Sequence, residues 1–174
     1  MMDHAAGAQA GAFALAGDLH ILLSADGAQV AHDWDVIGGA LLERAVPAAQ
    51  AQPRPIGLSK RRKCASIGAQ DVLAMASGDL SWRRGLSGVS YAPAGAPGAR
   101  FMRLEPGQAA PAHGHGDLEA TVVITGRFSD GHGEYGPGDL VLAVPGTRHK
   151  PQTVGEEACI CFVAQRPARF WRLI

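Results

Sequence analysis

Three imidazoles and one carboxylate make up the part of this chain best suited to chemistry. His113 and His115 stand two residues apart, Glu119 follows four later, and His149 lies further on. Imidazole nitrogen and carboxylate oxygen are the donors that zinc and the neighbouring divalent transition metals take. If the segment is a strand, side chains two apart leave the same face, so His113 and His115 can converge on one point. Glu119 keeps that parity and reaches the same point if the chain bends at Gly114, Gly116 and Asp117. His149 is distant in sequence, so it can join only where the fold lays its strand alongside.

The elements that must position these groups follow from the patterning after Trp82. Short apolar runs cover 88–92, 99–104, 118–125, 140–144, 158–164 and 168–174. Turn signals separate them at Ala94-Gly95, Pro106-Gly107, Asp130-Gly131 and Pro137-Gly138. Strands this short, punctuated this regularly, predict an all-β sandwich or barrel.

The first third of the chain is helical in character. Phe13, Leu15, Leu19, Leu22 and Leu23 recur at spacings that predict a helix over 9–24. Asp26-Gly27 signals a turn, and Val30, Trp34, Ile37, Leu41 and Leu42 then describe one apolar stripe over 28–45, with a weak point at Gly38-Gly39. Pro47 ends that helix, because proline has no backbone N–H to continue it. Residues 47–63 combine three prolines with the basic run Lys60 to Lys63 and carry no apolar period, which describes a linker. A short helical piece is expected around 68–77. The organisation expected is thus a helical segment over 1–46, a linker with a short helix over 47–79, and a barrel over 80–174.

Composition narrows the function classes. Formal net charge is zero over 174 residues, so no basic excess attracts nucleic acid, and no apolar run approaches the length of a membrane span. The N-terminus lacks the charged and apolar regions of a secretory signal, so a cytoplasmic location is expected. Three cysteines are too few for a disulfide framework, and Cys159 and Cys161, spaced C-x-C, read as small buried strand residues. Trp34, Trp82, Phe170 and Trp171 read as packing residues, and His132 as an exposed hairpin residue.

The spacing Gly107-x5-His113-x-His115-x3-Glu119-x6-Gly126 resembles the first motif of the cupin superfamily at every defined position, and Gly138-x7-Gly146-x2-His149 resembles the second. In the second, Val144 occupies the usual proline slot, with Pro145 one place late, and Thr153 replaces the usual asparagine. The resemblance implies an all-β cupin fold, a jelly-roll barrel, preceded here by a short N-terminal α-helical segment. It also implies that His113, His115, Glu119 and His149 hold one divalent metal, zinc foremost, with iron, nickel or manganese as alternatives.

A closer resemblance rests on Arg127-Phe-Ser-Asp130, the hairpin to Tyr135-Gly136-Pro-Gly-Asp139, Thr147-Arg-His149-Lys-Pro151 and the Cys159-Ile-Cys161 strand. These resemble the cupin domain of ChrR-type anti-sigma factors, and residues 5–43 resemble the helical domain of that family. The implied function is a metal-binding regulator that senses a signal such as an oxidant and controls an extracytoplasmic-function (ECF) sigma factor through residues 9–43. It leaves room for a small-molecule ligand in the barrel and for a homodimer. A cupin metalloenzyme, such as a diketone-cleaving dioxygenase, is the alternative the ligand set allows, although no general base accompanies it. One departure stands out. The family's helical zinc site uses a histidine followed four residues later by a C-x-x-C pair; His20 fits the histidine, but Ser24 and Gly27 hold the cysteine positions. A neutral hydroxyl cannot replace a thiolate, so this second site is expected to hold no zinc.

Overall fold

The punctuated second half of the chain forms antiparallel strands in two opposed layers, with helices packed on the back of the larger layer. A computed structural model describes residues 11–44, 67–85 and 88–166. The helices are α1 (Ala12–Leu23), α2 (Ala25–Arg44) and α3 (Ala69–Ala76). The strands are β1 (Arg83–Arg84), β2 (Ser90–Pro93), β3 (Ala99–Leu104), β4 (His113–Gly114), β5 (Glu119–Thr125), β6 (Phe128–Ser129), β7 (Glu134–Tyr135), β8 (Leu140–Ala143), β9 (Arg148–His149), β10 (Gln152–Thr153) and β11 (Cys159–Gln165).

Six strands form the main sheet in the order β1-β2-β3-β11-β5-β8. Facing it are a three-stranded sheet, β10-β6-β7, and the pair β4-β9. Val89, Leu104, Val123, Cys159, Cys161 and Val163 pack with Phe128 of the smaller sheet, which fills the space between the layers. This is the jelly-roll arrangement expected of a cupin.

Strand β5 shows why its sequence reads as a continuous apolar run. Every residue from Glu119 to Ile124 is buried. Odd-numbered Thr121 and Val123 turn toward the interior with Glu119, whereas Ala120, Val122 and Ile124 turn outward, under the helices. Leu15, Ala16 and Leu19 of α1 and Val72 of α3 cover that outer face, together with Phe101 of β3 and Phe162 of β11. The helices therefore lie directly behind the strand that begins with Glu119.

The helical segment departs from its sequence pattern in two places. Asp26-Gly27 is not a turn between helices: the break falls at Ser24 alone, and α2 starts at Ala25. Ser24 is extended and its hydroxyl accepts the Gly27 N–H at 3.2 Å, so it works as an N-cap, with Asp26 favourably placed in the first turn. Nor does Gly38-Gly39 interrupt α2, which runs on to Arg44. Each glycine there weakens the helix by about 1 kcal/mol relative to alanine, a cost a 20-residue helix absorbs. The short helix expected around 68–77 is present as α3, capped where the Asp71 carboxylate accepts the Gly68 N–H at 2.8 Å. The strand expected over 168–174, with Phe170 and Trp171, and the linker with its basic run lie outside the described residues.

Candidate metal centre

Two-residue strands bring the histidines together. In the β4-β9 pair His113 lies opposite His149. Beyond it, the His115 N–H donates to Thr147 O at 3.1 Å and the Gly146 N–H donates to His115 O at 2.9 Å. Gly146 takes φ 91°, the left-handed value that lets the chain leave β8 and re-enter as β9 after four residues. Histidines far apart in sequence thus share one focus.

The three rings face each other through Nε2. His115 Nε2 is 2.8 Å from His149 Nε2, which is 3.1 Å from His113 Nε2. All three ligand atoms fall within 4.8 Å of one another. Among the described residues no other group of three His, Cys, Asp or Glu side chains meets this condition. The tautomer of His113 follows from its surroundings. Its Nδ1 lies 2.9 Å from the Pro111 carbonyl, which can only accept, so Nδ1 carries the proton and Nε2 presents a lone pair to the focus. These separations are those of N–H···N hydrogen bonds, and the same three convergent nitrogens can instead face one cation; the donor set fits a divalent metal.

Glu119 is placed differently. It is 8 % exposed and interior-facing, but its Oε2 stands 3.8 Å from His115 Nδ1, on the far side of that ring from the three-nitrogen focus. Gln165, opposite Glu119 in the β5-β11 register, donates from its amide to the same oxygen, and Arg100 stands 3.8 Å from it. The fold thus gathers His113, His115 and His149 and keeps Glu119 beside them, on polar partners of its own.

Asp130 completes the surroundings. It is 6 % exposed, with Oδ2 3.9 Å from His149 Nδ1, while Oδ1 accepts the N–H groups of His132 and Gly133 at 2.8 and 3.0 Å. A carboxylate behind a ligating histidine orients the ring and raises its basicity. Burial, followed by repulsion from His113 and His115, lowers the His149 pKa, so this ring is neutral at pH 7 and free to ligate. Burial and then Asp130 raise the pKa of Tyr135. Asp130 was read from the sequence only as a turn residue and part of a resembling segment, and Gln165 and Arg100 were not singled out. The signal available was parity: Gln165 shares the inward face of β11 with Cys159 and Cys161, and Arg100 that of β3 with Met102 and Leu104.

The cysteines are as expected of small apolar strand residues. Cys159 and Cys161 are 1 % and 0 % exposed, with sulfurs 3.6 Å apart. The bond to Cys159 and then burial push the Cys161 thiol well up, which leaves it protonated and unfit as a metal ligand. His132 is exposed, as expected, with Nε2 3.2 Å from Arg148 O. Trp82 is half-buried against the helix–sheet core.

At the N-terminal position the resemblance singled out, His20 is turned to the barrel. Its Nδ1 is 2.6 Å from the carbonyl oxygen of Gly138. A β-carbon at Gly27 would lie 2.8 Å from the His20 ring, so the imidazole fills the space a side chain at 27 would need. Gly138 is equally tight, since a β-carbon there would come within 2.6 Å of the Leu23 carbonyl oxygen.

Comparison with known proteins shows the family. Residues 70–169 match the family described as the ChrR cupin-like domain. The chain is 31 % identical to anti-sigma-E factor ChrR of Cereibacter sphaeroides, over 96 % of this chain and 87 % of that one. The crystal structure of Rhodobacter sphaeroides SigE in complex with the anti-sigma ChrR superposes with a TM-score of 0.72 at 30 % identity, covering 94 % of this chain and 93 % of the other.

Proposed function

This chain belongs to the ChrR cupin-like family, and from that premise we propose that it is a metal-binding anti-sigma regulator whose helical hairpin holds an ECF sigma factor. The observation that carries the reading is the outer stripe of α2. Val30, Ile37 and Leu41 are 39 %, 46 % and 64 % exposed, with half-buried Trp34 between them, at the four-three-four spacing of one helical face. An apolar stripe left in water on a 20-residue helix suits a protein partner. The matched relative was solved with SigE bound.

In this reading the barrel receives the signal. His113, His115 and His149 hold a divalent metal, with Glu119 as the fourth ligand once its side chain turns from Gln165. Zinc suits three imidazoles and a carboxylate best, and iron, nickel or manganese are the alternatives. The metal would draw the β4-β9 pair and β5 together. Helices α1 and α3 pack on the back of β5, so a change in how Glu119 is held acts one strand away from the hairpin. No described helix is long and apolar enough to cross a membrane; in this reading the protein works in the cytoplasm, where a sigma-factor partner would be met. The exposed Leu142 and Val144, at the free edge of the main sheet, are the barrel surface a second copy would use.

Co-expression with the ECF sigma factor encoded nearest to it tests the proposal. The two should co-purify, and Ile37→Asp with Leu41→Asp should abolish the complex while metal content stays unchanged. A wild-type chain that never retains a sigma factor contradicts it.

A further inference from the structure

Beside His113 and His115 the barrel opens into a cavity of about 460 Å³. Its walls are of two kinds. Tyr91, Met102, Pro111 and Val163 supply apolar surface, and Arg100, Gln165, Asp117 and Arg166 supply polar groups around it. The inward parity of three adjacent strands sets the polar side. Arg100 of β3 lies opposite Val163 of β11, and two residues further along β11 Gln165 lies opposite Glu119 of β5. The Arg100 guanidinium rests 5.1 Å from the Tyr91 ring centroid, and both side chains line the cavity.

We propose that this cavity binds a small carboxylate, anchored at one end by Arg100 and at the other by the metal that His113, His115 and His149 hold. Charge balance selects the class of ligand. The guanidiniums of Arg100 and Arg166 offset the carboxylates of Asp117 and Glu119, so the metal-free mouth is neutral. A bound divalent cation adds two positive charges, of which the buried Asp130 behind His149 offsets one, so the site keeps a net positive charge in a concave setting where water screens it less than at an open surface. Glu119 ligation strengthens the effect, because the Arg100 that now stands 3.8 Å from Glu119 Oε2 would lose its partner to the metal. Guanidinium pairs with carboxylate through two parallel hydrogen bonds, and the apolar wall accommodates a short hydrocarbon portion between the ends. Carboxylate and metal therefore bind with positive coupling, each favouring the other.

The inference rests on the metal-centre reading, and cobalt-loaded protein separates the two. Malonate titrated into the Co(II) form should shift the visible d–d absorption to saturation, and calorimetry should show malonate binding the loaded protein at least tenfold more tightly than the metal-free protein. Arg100→Gln should keep one cobalt per chain and weaken malonate at least tenfold. Full cobalt uptake with no response to malonate overturns the carboxylate site alone, as does an Arg100→Gln variant that binds malonate like the wild type. A chain that takes up no cobalt overturns both readings.

Discussion

His20 Nδ1 lies 2.6 Å from the carbonyl oxygen of Gly138, at the turn that leads into β8. A carbonyl can only accept, so the imidazole donates. Gly138 in turn donates its N–H to Val123 O at 2.9 Å, which ties the turn to β5. One side chain therefore joins the α1–α2 corner to the strand that begins with Glu119. His20→Ala removes the bond and leaves a buried carbonyl unpaired, for a loss of about 1–3 kcal/mol of unfolding free energy. Metal content should not change. Chemical denaturation alongside elemental analysis checks both, and a variant that lost a metal would show His20 to be a ligand.

Asp130 acts through His149. Replacing it with Asn keeps the volume and removes the charge 3.9 Å from His149 Nδ1. Outer carboxylates of this kind are worth about 10–100-fold in metal affinity. Competition with a chelating indicator should show Asp130→Asn weaker by about tenfold at unchanged stoichiometry, and an affinity equal to wild type would remove Asp130 from the site.

The lowered pKa of His149 gives the metal-free protein a definite pH response. Folded, the ring takes a proton less readily than in the unfolded chain, where its pKa is near 6.5. Between the lowered folded value and 6.5 the unfolded state binds more protons, so stability falls as pH drops through that window and is fully present above it. The urea midpoint of chelated protein should decline from pH 7.5 to 5.5, and His149→Gln should flatten part of the decline. A midpoint that rose on acidification in the wild type would contradict the assignment.

Much of this was legible in the residues, and the exceptions share a cause. The five long runs within the described residues became strands because apolar patterning survives without tertiary context. The short strands β4, β6, β7, β9 and β10, two residues each, carry no period of their own; a hairpin was expected around His132, but that β10 pairs with β6 and β9 with β4 depends on the fold laying them side by side. His113, His115 and His149 could be read from spacing and resemblance together, and the structure brings them to one focus. Glu119 shows the limit. Its parity places it on the inner face, but which polar neighbours hold its carboxylate depends on cross-strand register to Gln165, which no local pattern encodes. Ser24 misled for a related reason. Asp-Gly reads as a turn anywhere, and only the hydroxyl bond to the Gly27 N–H converts it to a helix start.

The metal focus itself is open to the most direct measurement, elemental analysis of purified wild type beside His149→Ala. Wild type should carry about one divalent metal per chain, on the four-donor logic of the barrel. His149→Ala should carry close to none while retaining the β-sheet circular dichroism of the parent. A His149→Ala chain that folds and keeps its full metal would contradict the account.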